Sequence, residues 1–114
     1  MTPSYVEKIR EALKARPEEL AQARQAGAKV VGYYCSYMPE VIIHALGLIP
    51  IRLCKGGDAH LVEVGSRWIS KNNCVFTRHA VGLFAEGNVP FIANSDVVAV
   101  AGTCIQMYRM AELL

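Results

Sequence analysis

The spacing of apolar and polar positions changes several times along the chain. Val6, Ile9 and Leu13 recur at helical spacing among Glu7, Arg10, Glu11 and Lys14, so one apolar face is expected there. Thr2-Pro3 supplies a start signal, and Arg16-Pro17 is expected to interrupt the helix because a residue before proline avoids the α region. A second helix over residues 18–25 should end at Gly27. The pattern then tightens to a short β-branched run, residues 29–35, with Gly32 at a close-approach or kink position. Helical spacing returns from Pro39 through Val41, Ile42, Ala45 and Leu46, and stops at Gly47. Pro39 near the first helical position and Glu40 in the first turn both favour a helix start.

Residues 48–53 form a second expected strand, and Pro50 argues for an edge or a strand start. A loop at residues 55–58 leads to a helix expected over residues 61–69, where Leu61, Val64 and Trp68 share a side and Gly65 counts against it. Asn72-Asn73 can cap a helix that runs through Cys74, Phe76, Ala80, Val81, Leu83 and Phe84 and ends near Gly87. A turn-rich connection, residues 88–95, precedes a third strand over residues 96–101 and a last helix from Ile105. Alternating strands and helices predict an α/β fold with a mainly parallel, Rossmann-like sheet flanked by helices. The expected organisation is a helical segment at residues 1–27 and an α/β unit at residues 28–114. The chain ends inside an apolar helical pattern, which reads as part of a longer protein.

Composition narrows the class. The 114 residues are 53% hydrophobic with a net charge of +2, as suits a small globular domain and not a disordered chain. The basic residues of the first helices alternate with Glu7, Glu11, Glu18 and Glu19, a solvated face and not a nucleic-acid stripe. No apolar run reaches the roughly 18–20 residues of a membrane span. The amino terminus carries no secretory signal, so a cytoplasmic protein is expected, in which cysteines bind metal or react more often than they form structural disulfides.

The chemistry therefore turns on four cysteines: Cys35, Cys54, Cys74 and Cys104. None forms a C-x-x-C pair, which removes zinc-ribbon and thioredoxin-like sites. Cys35 and Cys104 each follow a strand and precede a helix. In open α/β sheets that edge binds ligands, and free N–H groups there favour a thiolate. Thiols on separate loops at one sheet edge suit iron in an iron–sulfur cluster; the alternative is that they are small buried hydrophobes, which fits Cys54 best. No G-x-G-x-x-G or P-loop is present, so ATP is not expected to bind here.

Residues 32–40 (GYYCSYMPE), Ile43-His44-Ala45-Leu46-Gly47 and Pro50-Ile51-Arg52-Leu53 resemble the start of the 2-hydroxyacyl-CoA dehydratase D-component family, which also includes benzoyl-CoA reductase subunits. Asn73-Cys74 with Arg78-His79-Ala80-Val81-Gly82 resembles its second cysteine block, and Asp96-Val97-Val98 with Thr103-Cys104 its later strand-plus-cysteine block. The resemblance implies an iron–sulfur subunit with Cys35, Cys74 and Cys104 as ligands of a [4Fe-4S] cluster. Ile105 stands where the family commonly has an acidic residue, and family members can place a cluster cysteine further downstream.

The same resemblance implies a related second subunit, a separate ATP-hydrolysing iron–sulfur activator and an acyl-CoA substrate. The implied reaction is radical dehydration of an (R)-2-hydroxyacyl-CoA to an enoyl-CoA after one-electron reduction. An ATP-dependent reductase of the benzoyl-CoA or double-cubane type, or a non-catalytic metal-binding fragment, are the alternatives. Full-length members are several times longer, so the chain resembles an amino-terminal portion. Ser36 reads either as a hydrogen-bond donor to a cluster or substrate, or as a turn hydroxyl. Glu40 reads as a base or as a dipole-favoured first-turn carboxylate, and His44 shares its helix face. Arg78 and His79 read as cations beside the cluster or CoA phosphates, or as a solvated face. Trp68, Phe76, Phe84, Met107, Tyr108 and Met110 are expected to pack in the core.

Overall fold

A computed structural model describes residues 4–53, 57–87 and 89–114. Thr2-Pro3, Cys54, Lys55-Gly56 and Asn88 lie outside the described residues. The first helix, α1 (Tyr5–Gln25), starts with a capping box. Ser4 Oγ accepts from the Glu7 amide at 3.3 Å, and the Glu7 carboxylate accepts from the Ser4 amide at 2.6 Å. The helix runs unbroken through Pro17, which corrects the expected interruption. Proline removes one backbone bond and crowds the carbonyl four residues earlier. That carbonyl belongs to Leu13, an exposed residue whose backbone water can serve. The apolar face of Val6, Ile9 and Leu13 lies on α1 but is left unpacked, the three being 57%, 61% and 60% exposed. What α1 buries is Leu20, near its carboxyl end.

The sheet comprises β1 (Val30–Tyr34), β2 (Ile49–Arg52) and β3 (Val97–Val100), all parallel, in the order β2-β1-β3. β1 is buried along its whole length, as its near-continuous apolar run requires of a central parallel strand. β2 lies at an edge, where the missing amide of Pro50 costs little. Gly32 pairs with Ile51 on one side and Val98 on the other. A Cβ at Gly32 would lie 2.5 Å from Ser95 Oγ and 2.8 Å from Leu53 Cδ1, so the close-approach reading holds.

Between the strands lie α2 (Glu40–Ala45), α3 (Ala59–Gly65), α4 (Val75–Glu86) and the short α5 (Pro90–Ala93); α6 (Ile105–Leu113) follows β3. The protein is thus an α/β fold, a parallel sheet flanked by helices and preceded by a helix. α5 occupies part of the stretch expected to be a turn-rich connection. Pro90 is favourable at its first position, and Asn94 Nδ2 donates back to the Pro90 carbonyl at 2.8 Å.

The core lies between β1 and the pair α4 and α6, where Tyr34, Leu53, Ala80, Val81, Met107 and Met110 cluster with half-buried Phe76 and Val100. Two expected core aromatics are corrected: Trp68 is 65% exposed and Tyr108 is 57% exposed. α3 stops at Gly65, so Trp68 sits in the following turn and leaves the helical period that placed it inward. Among the described residues no helix is long and apolar enough to cross a membrane.

Candidate thiol site

Cys35 stands one residue past the end of β1 with φ 74°. A left-handed backbone is uncommon for a residue with a Cβ and persists only where the surroundings hold it. The twist turns successive amides toward the sulfur. The Tyr37 N–H is the chief cause that lowers the Cys35 thiol below its ordinary pKa. Partial burial opposes this, while the Thr103 hydroxyl, the Ser36 amide and the Arg52 charge add to it. The Cys35 thiol is therefore shifted toward its ionised form at a half-buried position.

Cys74 is the N-cap of α4. The expected cap at Asn72-Asn73 is corrected: the Cys74 sulfur accepts from the Thr77 amide at 3.4 Å and lies 2.9 Å from Thr77 Oγ1. Asn73 instead shapes the turn before the helix, with Nδ2 donating to the Ser70 carbonyl at 2.9 Å. Cys104 is the N-cap of α6 and is exposed. The Cys74 sulfur thus meets a free helix amide, whereas the Cys104 side chain makes no cap hydrogen bond.

The start of α6 links the three cysteine loops. Thr103 Oγ1 lies 3.9 Å from Cys35 Sγ, Cys104 caps the helix, and Gln106 Oε1 accepts from the Cys74 amide at 3.3 Å. Within four consecutive residues, one helix end touches the loop of Cys35, contributes Cys104 and holds the backbone of Cys74. Loops on three separate elements therefore meet at the carboxyl edge of the sheet. Thr103, Gln106 and Thr77 were not identifiable as site residues from the sequence, because each acts through a long-range or cap geometry. Arg52 had a signal, since a residue ending the strand beside β1 must lie at the same edge.

Among the described residues no three His, Cys, Asp or Glu side chains converge at the distances of a single metal ion. A cubane differs from a single ion, because each thiolate binds its own iron and the sulfurs stand further apart. Three cysteines on loops that meet at the start of α6, one with a lowered thiol pKa, fit such a group in donor chemistry.

The other expected residues fall in different places. Ser36 is exposed and its Oγ accepts from Arg52 Nη2 at 3.3 Å. Glu40 is exposed in the first turn of α2, and His44 is exposed in its last turn. Arg78 is half-buried and clasps the turn before its own helix, donating to the Asn73 carbonyl at 3.1 Å and to Ser66 Oγ at 3.3 Å. His79 is buried, 4% exposed, which corrects the reading that places it on a solvated helix face. Beside Arg78, a cavity of about 350 Å³ is lined by Ser66, Arg67, Lys71 and Glu63.

These features define an α/β protein of the open-sheet class with Cys35 and Cys104 in the loops that follow β1 and β3. The family model of the 2-hydroxyglutaryl-CoA dehydratase D-component matches residues 35–114, and the chain belongs to that family. It is also similar to the Escherichia coli (strain K12) protein named "Putative dehydratase subunit YjiM", with 25% identity over 112 residues. That match takes in 98% of this chain and 29% of the length of the relative.

Proposed function

We propose that the chain is the cluster-bearing α/β portion of a 2-hydroxyacyl-CoA dehydratase-like subunit. In this reading residues 1–27 form a helical segment, residues 28–114 an iron–sulfur unit, and Cys35, Cys74 and Cys104 hold a [4Fe-4S] cluster. The observation that supports it most is the convergence on the start of α6, where Thr103, Cys104 and Gln106 tie the three cysteine loops together.

When bound, the cluster supplies the one-electron chemistry that makes loss of an unactivated hydroxyl from an acyl-CoA feasible. The work of this chain is ligation and shielding. The loop amides of Cys35 lower its thiol pKa, so iron competes with fewer protons for that sulfur. Cys74 and Cys104 present sulfur at helix starts, where partial positive charge favours an anionic ligand. Arg67 and Lys71 on the neighbouring cavity suit the phosphates of a CoA thioester. A related second subunit and a separate ATP-hydrolysing activator complete the proposed system, which is cytoplasmic.

The test is anaerobic reconstitution of the chain with ferrous iron and sulfide, followed by iron and sulfide counting and electron paramagnetic resonance. Wild type is expected to take up a reducible cluster, and Cys35→Ser and Cys74→Ser to lose most of the iron. Equal iron in wild type and both variants would remove these residues as ligands.

A further inference from the structure

The edge strand β2 ends at Arg52, whose register partner Tyr33 lies two residues before Cys35. The side chain reaches across, and Nη2 donates to Ser36 Oγ at 3.3 Å. The guanidinium is thereby held over the loop that follows the first thiol. Among the described residues its charge forms no ion pair with a carboxylate, whereas Arg16, Arg24 and Arg109 each have one. An arginine that is steered by a hydroxyl and not neutralised keeps its whole positive charge at the rim.

We propose that Arg52 is a positioning residue for electron transfer: its guanidinium, held by Ser36, raises the reduction potential of the cluster at the thiol rim. The inference rests on the reading that Cys35, Cys74 and Cys104 hold such a group. A thiolate-ligated cluster is anionic, and one-electron reduction makes it more so. A fixed cation nearby therefore stabilises the reduced form more than the oxidised form. Arg52 is exposed, so the effect is screened by salt. This gives Ser36 a role distinct from acid–base chemistry, since its hydroxyl fixes where the charge sits.

The test uses the full chain, reconstituted anaerobically with iron and sulfide and titrated with titanium(III) citrate, which gives one electron and becomes titanium(IV). Electron paramagnetic resonance reads the midpoint. Arg52→Gln is expected to keep its iron content and to lower the reduction equilibrium constant about tenfold, about 59 mV for one electron. Arg52→Lys should retain most of the wild-type potential, because it keeps the charge. Ser36→Ala frees the guanidinium without touching the strand and should shift the midpoint in the same direction by less. It also serves if Arg52→Gln folds poorly by circular dichroism. Added salt should narrow the gap between wild type and Arg52→Gln. If wild type takes up no cluster, the cluster reading falls and this inference falls with it. If wild type and variants all load and titrate at one potential, only the role of Arg52 is overturned.

Discussion

Arg24 and Asp96 join the end of α1 to the start of β3 through two contacts, Nη2 to Oδ1 at 3.0 Å and Nε to Oδ2 at 3.3 Å. The same carboxylate accepts from the Val30 amide at 2.8 Å, and Lys29 Nζ lies 3.7 Å away. One side chain therefore connects the first helix, the central strand and the third strand.

Those partners give the first prediction. Asp96 is held down from 3.8 to about 2, chiefly by the hydrogen bond from Arg24 and then by the Val30 amide. A carboxylate with a depressed folded-state pKa contributes stability that is fully present above its unfolded value. That contribution should fade as pH falls from about 3.8 through about 2. Thermal midpoints measured across this window should drop with acid in wild type. In Asp96→Asn the midpoint should start lower, and this part of the acid slope should vanish. An unchanged slope in Asp96→Asn would show that other carboxylates control acid unfolding.

The second concerns the backbone of Cys35. Alanine at φ 74° keeps the penalty of a Cβ in the left-handed region, roughly 1–2 kcal/mol, whereas glycine does not. In denaturant melts of the iron-free chain, Cys35→Gly should be more stable than Cys35→Ala by about 1 kcal/mol, after the cost of glycine flexibility in the unfolded chain. The opposite order would mean that the sulfur and its loop contacts, not the dihedral, dominate at this position.

The third separates the two roles of Cys74. As an N-cap its sulfur accepts from Thr77, and serine can replace it there. Cys74→Ser should leave iron-free stability nearly unchanged, while Cys74→Ala should lose about 1 kcal/mol. Both should lose iron on reconstitution. Stability read by urea unfolding and metal read by iron count would then rank the variants differently, which a purely structural cysteine would not do.

The sheet was legible because its three strands are short, β-branched and bounded by glycine or proline, and the central one is apolar on both faces. The edge position of β2 followed from Pro50 alone. Pro17 misled, because proline ends a helix only where the displaced carbonyl lacks another partner, and Leu13 lies at the surface. Cys35 and Cys104 were legible as strand-end thiols. The cap at Cys74 was not, because cysteine is rarely chosen over a preceding asparagine pair. Thr103 and Gln106 stay hidden in a sequence, since their contacts to Cys35 and to Cys74 join positions 68 and 32 residues apart.

Gly65 illustrates the same limit and carries the last prediction. In the sequence it weakens a helix, because glycine costs about 1 kcal/mol against alanine in a helix interior. In the fold it is buried against α4. A Cβ at Gly65 would overlap the Arg78 carbonyl oxygen, and a Cβ at Gly82 would overlap the Leu61 carbonyl oxygen. The two helices touch backbone to backbone through this reciprocal pair, and neither carbonyl can swing aside as a side chain would. Alanine at either position should therefore destabilise despite its better helix propensity, by about 1–3 kcal/mol as helices α3 and α4 are forced apart. Because both substitutions push on one contact, the double variant Gly65→Ala/Gly82→Ala should cost less than the sum of the singles. Urea unfolding of the three variants checks this. Α gain in stability from Gly65→Ala would show that the helices separate freely and that local propensity governs the site.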